Sequence, residues 1–148
     1  LSKYNNIEEL LPNSYDFVII LLLERPASGH WTSLIKYGDQ LEFFDSYGNA
    51  PDADLTHWLT PQERLKLGES QKYLSFLLQG KPYVYNKVKY QVMKRGVNTC
   101  GSHVAYRCWL FKKKQFNLLD YQKHVKNYTH LYGLTPDQLV SKFVGEHL

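Results

Sequence analysis

The sequence predicts an α+β fold: a small central mixed or antiparallel β-sheet flanked by helices, with a cysteine placed at the N-terminus of one helix. Three observations predict it. Phe17-Val18-Ile19-Ile20-Leu21-Leu22-Leu23 is a continuous apolar run of strand length, as expected for a strand covered on both faces. His30 to Tyr37 and Gln40 to Asp45 are strand-like runs joined by Gly38-Asp39, a glycine-first turn of type II′ geometry. Thr60-Pro61-Gln62-Glu63 and Thr135-Pro136-Asp137-Gln138 are capping boxes with proline at the first helical position, and each opens a helical run.

Composition narrows the class. The 148 residues are 43% hydrophobic and 15% aromatic, which suits one domain spanning 1–148 with a core that needs no staples. Cys100 and Cys108 lie eight residues apart on one predicted helix, roughly 12 Å along its axis and too far for a disulfide. That pattern reads as a reduced, intracellular protein. The net charge of +4 favours acidic partners without establishing nucleic-acid binding. No apolar run approaches the roughly 20 residues that span a bilayer, so no membrane partner is expected. No signal peptide is visible at the start, and a chain that opens at Leu1 with Met93 as its one methionine reads as a trimmed or processed fragment.

In chain order, Asn6 caps a short helix that stops at Pro12. The apolar strand follows, then a Pro26-Ala27-Ser28-Gly29 loop and the hairpin. If Tyr37 pairs with Gln40, Thr32 pairs with Asp45, and Asp45 lies diagonally across from His30 on the same face of the sheet. A one-residue slip would part them. Beyond Gly48 the chain turns helical, with a run from Thr60 to about Leu78 broken by Gly80-Lys81-Pro82. Asn86 to Val92 alternates, Val88, Tyr90 and Val92 against Lys87, Lys89 and Gln91, and reads as a half-exposed strand. Cys100 then opens the helix that carries Val104 to Phe111 and closes with Lys112-Lys113-Lys114, cations that suit a helix C-terminus. Asp120 to Tyr132 and Thr135 to His147 form two further helices.

The chemistry gathers at Asn98-Thr99-Cys100-Gly101-Ser102-His103. A helix N-terminus stabilises a thiolate, the nucleophilic form of cysteine. Gly101 lets substrate backbone approach and offers its amide to an oxyanion. The alternative is a small buried core cysteine. A nucleophile needs a base and an orienter, and the hairpin supplies His30 with Asp45, the acid holding the ring through Nδ1. His103, one turn beyond Cys100, reads as a packing or solvent-facing residue, and Cys108 as core. His124, His130 and His147 lack companions at ligand spacing, so no metal or other cofactor is expected.

Gly29-His30-Trp31, Phe43-Phe44-Asp45-Ser46-Tyr47-Gly48, Gln91 and Asn98-Thr99-Cys100-Gly101 occur in that order over about half the chain. This order resembles the adenain and Ulp-type superfamily of cysteine proteases, which have a papain-like fold. The resemblance implies a catalytic set of Cys100 as nucleophile, His30 as general base and then acid, and Asp45 as orienter. It also implies Gln91 as an oxyanion donor, although its separation from Cys100 is longer than usual in those families and calls for an excursion at Lys94-Arg95-Gly96. Solvent exposure is the plain alternative for Gln91. Trp31 would wall a narrow channel for a glycine-containing substrate, or serve as a core aromatic.

The implied function is a cysteine endopeptidase that cleaves protein precursors after small residues, glycine above all, in viral capsid maturation. It would act as a monomer in the virion and in the host cytoplasm or virus factory, with DNA or an activating peptide as further partners. The runner-up is an isopeptidase acting on conjugates of a ubiquitin-like modifier such as SUMO. A third reading, from another class, is a non-catalytic basic module that binds nucleic acid.

Overall fold

The computed structural model describes residues 1–25, 28–68, 71–94 and 97–147. The fold is α+β, built on a mixed four-stranded sheet of β1 (Tyr15–Arg25), β2 (Ser28–Tyr37), β3 (Gln40–Phe44) and β4 (Tyr83–Tyr85), in the order β1-β2-β3-β4. The first three strands are antiparallel, and β4 joins β3 in parallel. The hairpin has the register the sequence predicts: Tyr37 opposes Gln40 and the ladder ends at Ser33 opposite Phe44, one residue short of Asp45. Gly38 has φ +66° while Asp39 stays out of the left-handed region, the pattern of a type II′ turn.

Helices cover both faces of the sheet. On one lie α5 (Cys100–Lys114), α6 (Leu118–Tyr132) and α7 (Pro136–His147), whose Val104, Leu110, Tyr121, Val125, Val140 and Phe143 close a core over Phe44 of β3. On the other, α1 (Ile7–Leu10) and α4 (Tyr73–Leu78) pack Ile7, Leu74, Leu77 and Leu78 against Leu34, Leu41 and Phe43. The alternation of β3, with Phe43 in one core and Phe44 in the other, is the period-2 geometry of a strand buried on both sides. Each fully buried aliphatic or Phe side chain of this kind contributes about 1.5–3 kcal/mol. Two short helices, α2 (Ala53–Trp58) and α3 (Pro61–Lys66), lie between β3 and α4.

Helix α5 buries eight of its fifteen residues, on more than one face, so it is a central helix. Its Arg107 is wholly buried and makes a two-pronged bond to Glu42 of β3, Nε to Oε2 at 2.9 Å and Nη2 to Oε1 at 2.7 Å. The guanidinium also donates to the Phe116 carbonyl and lies over the Tyr121 ring. The sequence gives no sign of this pair. Arg107 looks like an interruption of an apolar run, and Glu42 like the polar side of a half-exposed strand.

Several expectations are corrected. The run 17–23 lies in β1, which is an edge strand with Ile19 exposed, since no further strand pairs beyond it among the described residues. The helical run from Thr60 toward Leu78 is divided: α3 stops at Lys66, and Gly68, at φ +74°, turns the chain before α4. Residues 86–92 form no strand. Tyr90 and Gln91 are consecutive and both buried, which alternation forbids, because both backbone amides donate to the carbonyl of Ser46. The loop at Pro26-Ala27 and the excursion at Arg95-Gly96 lie outside the described residues.

Candidate active site

His30, Asp45 and Cys100 meet at one end of the sheet. His30 stands near the start of β2, Asp45 follows the last residue of β3, and Cys100 is the first residue of α5. His30 Nε2 donates to Asp45 Oδ1 at 2.8 Å, with both side chains buried. Cys100 interacts electrostatically with the ring, each group favouring the charged form of the other, and its Sγ lies 3.8 Å from Asn98 Oδ1. The expected use of Nδ1 toward the acid is therefore corrected. Asp45 lies diagonally across the strand pair and meets Nε2, the far nitrogen of the ring. Tyr47 stacks on the imidazole with ring centres 4.7 Å apart, and Trp58 of α2 meets it edge-on at 5.4 Å, so the ring plane is clamped.

Asp45 is itself fixed. Its Oδ1 accepts from the Tyr47 amide at 2.8 Å, its own amide donates to Asn86 Oδ1 at 2.9 Å, and its carbonyl accepts from Asn86 Nδ2. Burial alone would raise its pKa, but the His30 bond and charge and the Asp54 bond hold the carboxyl below the usual range. Burial likewise disfavours the His30 cation, yet Asp45 and Cys100 together lift its pKa to about 10. For Cys100, burial opposes ionisation, and His30 outweighs it with help from backbone amides of Trp31 and Gly101, so the thiol pKa falls. The three groups thus favour thiolate, imidazolium and carboxylate in a row. Cys108, eight residues on, is driven the other way, to about 12, mainly by burial.

The remaining candidates fall around this row. Trp31, 40% exposed, alternates to the face opposite His30 and lies beside Gly101, where an added β-carbon would stand 3.5 Å from its Cδ1. It is a surface aromatic rather than a core one. Gln91 is buried, not solvent-facing, and its Oε1 accepts from Ser46 Oγ at 2.7 Å. That bond fixes the carboxamide and leaves the NH₂ end as the donor. His103 is wholly buried, donating through Nε2 to Asp137 Oδ1 at 2.9 Å. Asp137 also accepts from Thr99 Oγ1 and the Val92 amide, tying the segment before Cys100 to the start of α7. Its packing role is that of a strut, and solvent exposure is excluded. His124 accepts the Tyr106 hydroxyl, Oη to Nε2 at 2.6 Å.

Sequence reasoning missed Tyr47, Trp58, Asn86 and Asp54. Tyr47 stands in a quoted motif and could have been found there; Asp54 and Trp58 sit on α2, a helix too short to show periodicity, and Asn86 lies in a loop. Among the described residues one cluster has metal-ligand proximity, His30, Asp45 and Asp54, each presenting an atom within 4.8 Å of the others. Within it, His30 Nε2 is bonded to Asp45 Oδ1, and Asp54 Oδ1 accepts from Asn49 Nδ2 at 2.6 Å.

No protein-family model matches the chain. The uncharacterized protein V9 of Sputnik virophage is 33% identical over 144 residues, covering 95% of this chain and 79% of that protein. The chain belongs to the V9 family. Among solved structures, the ASFV pS273R protease aligns with a TM-score of 0.37 and 16% identity, over 66% of this V9-family chain and 34% of the protease. Among the described residues, no helix of the V9-family chain is long and apolar enough to cross a membrane.

Proposed function

We propose that this chain is a cysteine peptidase in which Cys100 attacks a peptide carbonyl, His30 relays the proton and Asp45 orients His30. The observation that carries the reading is the buried 2.8 Å bond between His30 and Asp45 beside a thiol at a helix N-terminus, whose ionisation His30 favours. In the resting pair the thiolate carries the charge and the imidazolium the proton. Attack forms the C–S bond and moves the carbonyl electrons onto oxygen. The imidazolium then protonates the leaving amine, and the neutral ring later takes a proton from the water that cleaves the thioester. The Gly101 amide is aimed at the thiol, and the NH₂ end of Gln91, set by Ser46, is our candidate second donor to the oxyanion.

Exposed Trp31 stands beside the unsubstituted Gly101, so little room is left next to Cys100 for a bulky side chain, and we extend the reading to cleavage after glycine. A virophage relative agrees with a viral role, and we extend the reading to processing of viral structural precursors during assembly in the host cell. The test is hydrolysis of a fluorogenic peptide library varied at the cleaved position. Turnover should favour glycine and vanish in Cys100→Ser and His30→Ala; turnover that survives either substitution would refute the reading.

A further inference from the structure

Asp54 is a second buried carboxyl at the site, and nothing in the peptidase reading uses it. It lies in α2 and is 3% exposed. One of its oxygens lies within 4.8 Å of both an Asp45 oxygen and a His30 nitrogen. Two buried carboxylates at that separation repel strongly unless one holds a proton. The hydrogen-bond pattern says which. Asp45 Oδ1 already accepts from His30 and from the Tyr47 amide, whereas Asp45 Oδ2 is buried with no nitrogen or hydroxyl donor in reach. A buried acceptor without a donor is rare enough to require an explanation. On Asp54, Oδ1 accepts from the Asn49 amide, so Oδ2 is the oxygen free to carry a proton. Asp54 also lines a cavity of about 260 Å³ with Thr32, Phe43 and Leu74, which Asp45 does not reach. Protons can therefore exchange with Asp54 without passing through the Cys100 side.

We propose that Asp54 is a positioning residue that keeps its proton at neutral pH and donates it in a hydrogen bond to Asp45 Oδ2, fixing the carboxylate that steadies the His30 imidazolium. This inference rests on the reading of Cys100, His30 and Asp45 as the reacting set. The electrostatics agree. Burial first, then the Asp45 hydrogen bond and charge, push the Asp54 carboxyl up to about 8, while His30 and Asn49 pull weakly against them. The groups facing Asp54 are His30 from β2, Asp45 at the end of β3 and Asn49 in the following loop. The nearby Asp52 carboxylate is turned to the Ser75 amide of α4.

The first measurement is a carboxyl-carbon NMR titration of aspartate-labelled protein. Asp54 should titrate above pH 7 in the wild type and at least one unit lower in Asp45→Asn, where the neighbouring charge is gone. A buried acid with a merely structural role would not move. The second is the pH profile of Cys100 alkylation. Asp54→Leu removes the donor and, with Asp45 protonating nearer neutrality, should shift the acid limb upward by roughly one pH unit. Asp54→Asn, which keeps a donor, should restore most of that shift. Titration of Asp54 in the ordinary carboxylate range, or a limb unmoved in Asp54→Leu while Asp45→Asn moves it, would overturn the inference alone. A limb that neither His30→Ala nor Asp45→Asn moves would instead overturn the peptidase reading beneath it.

Discussion

Cys100 and Cys108 are eight residues apart on α5, and their surroundings push the two thiols in opposite directions. Cys100→Ser should therefore abolish hydrolysis with the fold intact, since a hydroxyl beside this histidine is a far weaker nucleophile. Cys108→Ser should keep activity and lose about 1–3 kcal/mol of stability in denaturant titration, the cost of a hydroxyl poorly paired in the core. An inactive but folded Cys108→Ser would mean that the wrong sulfur has been assigned. Asp45→Asn should lower turnover roughly ten- to a thousand-fold, less than in a serine triad because a thiol is intrinsically more nucleophilic. Gly29, directly before His30, is a steric test of the same position. A β-carbon there would lie 2.0 Å from the Leu22 carbonyl oxygen, so Gly29→Ala must displace the strand that carries His30 and should cost activity before it costs secondary structure, as circular dichroism beside turnover would show. The meeting of His30 with Asp45 was legible because parity along a hairpin depends only on the turn. The choice of ring nitrogen was not, since it depends on a ring plane set by Tyr47 and Trp58, and Trp58 arrives on a separate helix.

At the scale of elements, the site is a matter of holding the start of α5 against the ends of β2 and β3. Arg107 and Glu42 fasten the middle of that helix to the middle of β3, while the His103–Asp137 strut ties its first turn to α7. Removing one partner of a wholly buried ion pair leaves an uncompensated charge. Glu42→Ala or Arg107→Ala should each destabilise by about 3–5 kcal/mol, and the double replacement by apolar residues of similar volume by much less. Additive losses across that cycle would show that the pair contributes no coupling. Capping chemistry made the helix starts at Pro61 and Pro136 readable, and both reciprocal cap bonds form, at Thr60–Glu63 and Thr135–Gln138. The segment 86–92 was misread for a physical reason: its alternating composition is overridden by long-range bonds to Ser46 and Asp45 that no local pattern encodes.

For the whole molecule, four shifted groups at one site set how stability depends on pH; the lowered Cys100 thiol contributes fully only above its ordinary 9.0 and so partly offsets the two raised groups. The His30 pKa rises from an ordinary 6.5 to about 10, so its contribution is complete below about 6.5 and lost as pH rises through about 10. Asp54 is also raised, from 3.8 to about 8, so its contribution is complete only below 3.8 and is lost as pH rises through about 8. Asp45 is lowered, so its contribution is present above 3.8 and lost as pH falls below that. Denaturation midpoints should therefore decline from mildly acidic toward alkaline pH, and Asp54→Asn should flatten the decline between pH 5 and 9. Parallel curves for the two proteins would count against a buried neutral Asp54. The α+β class and the hairpin at its centre were visible in the sequence, because strands and turns announce themselves locally. The edge position of β1 was not, because it depends on the order in which distant segments join the sheet.

The central claim is that Cys100 is an activated thiolate paired with His30, and site-resolved alkylation by iodoacetamide against pH, read by mass spectrometry of the native protein, tests it without a known substrate. Cys100 in the wild type should react with a midpoint below that of an ordinary thiol, as activated cysteines do, while Cys108 stays unmodified until the protein unfolds. In His30→Ala the Cys100 midpoint should climb to the ordinary thiol value or above. A wild-type midpoint at the ordinary value, or one that His30→Ala leaves in place, would contradict the account.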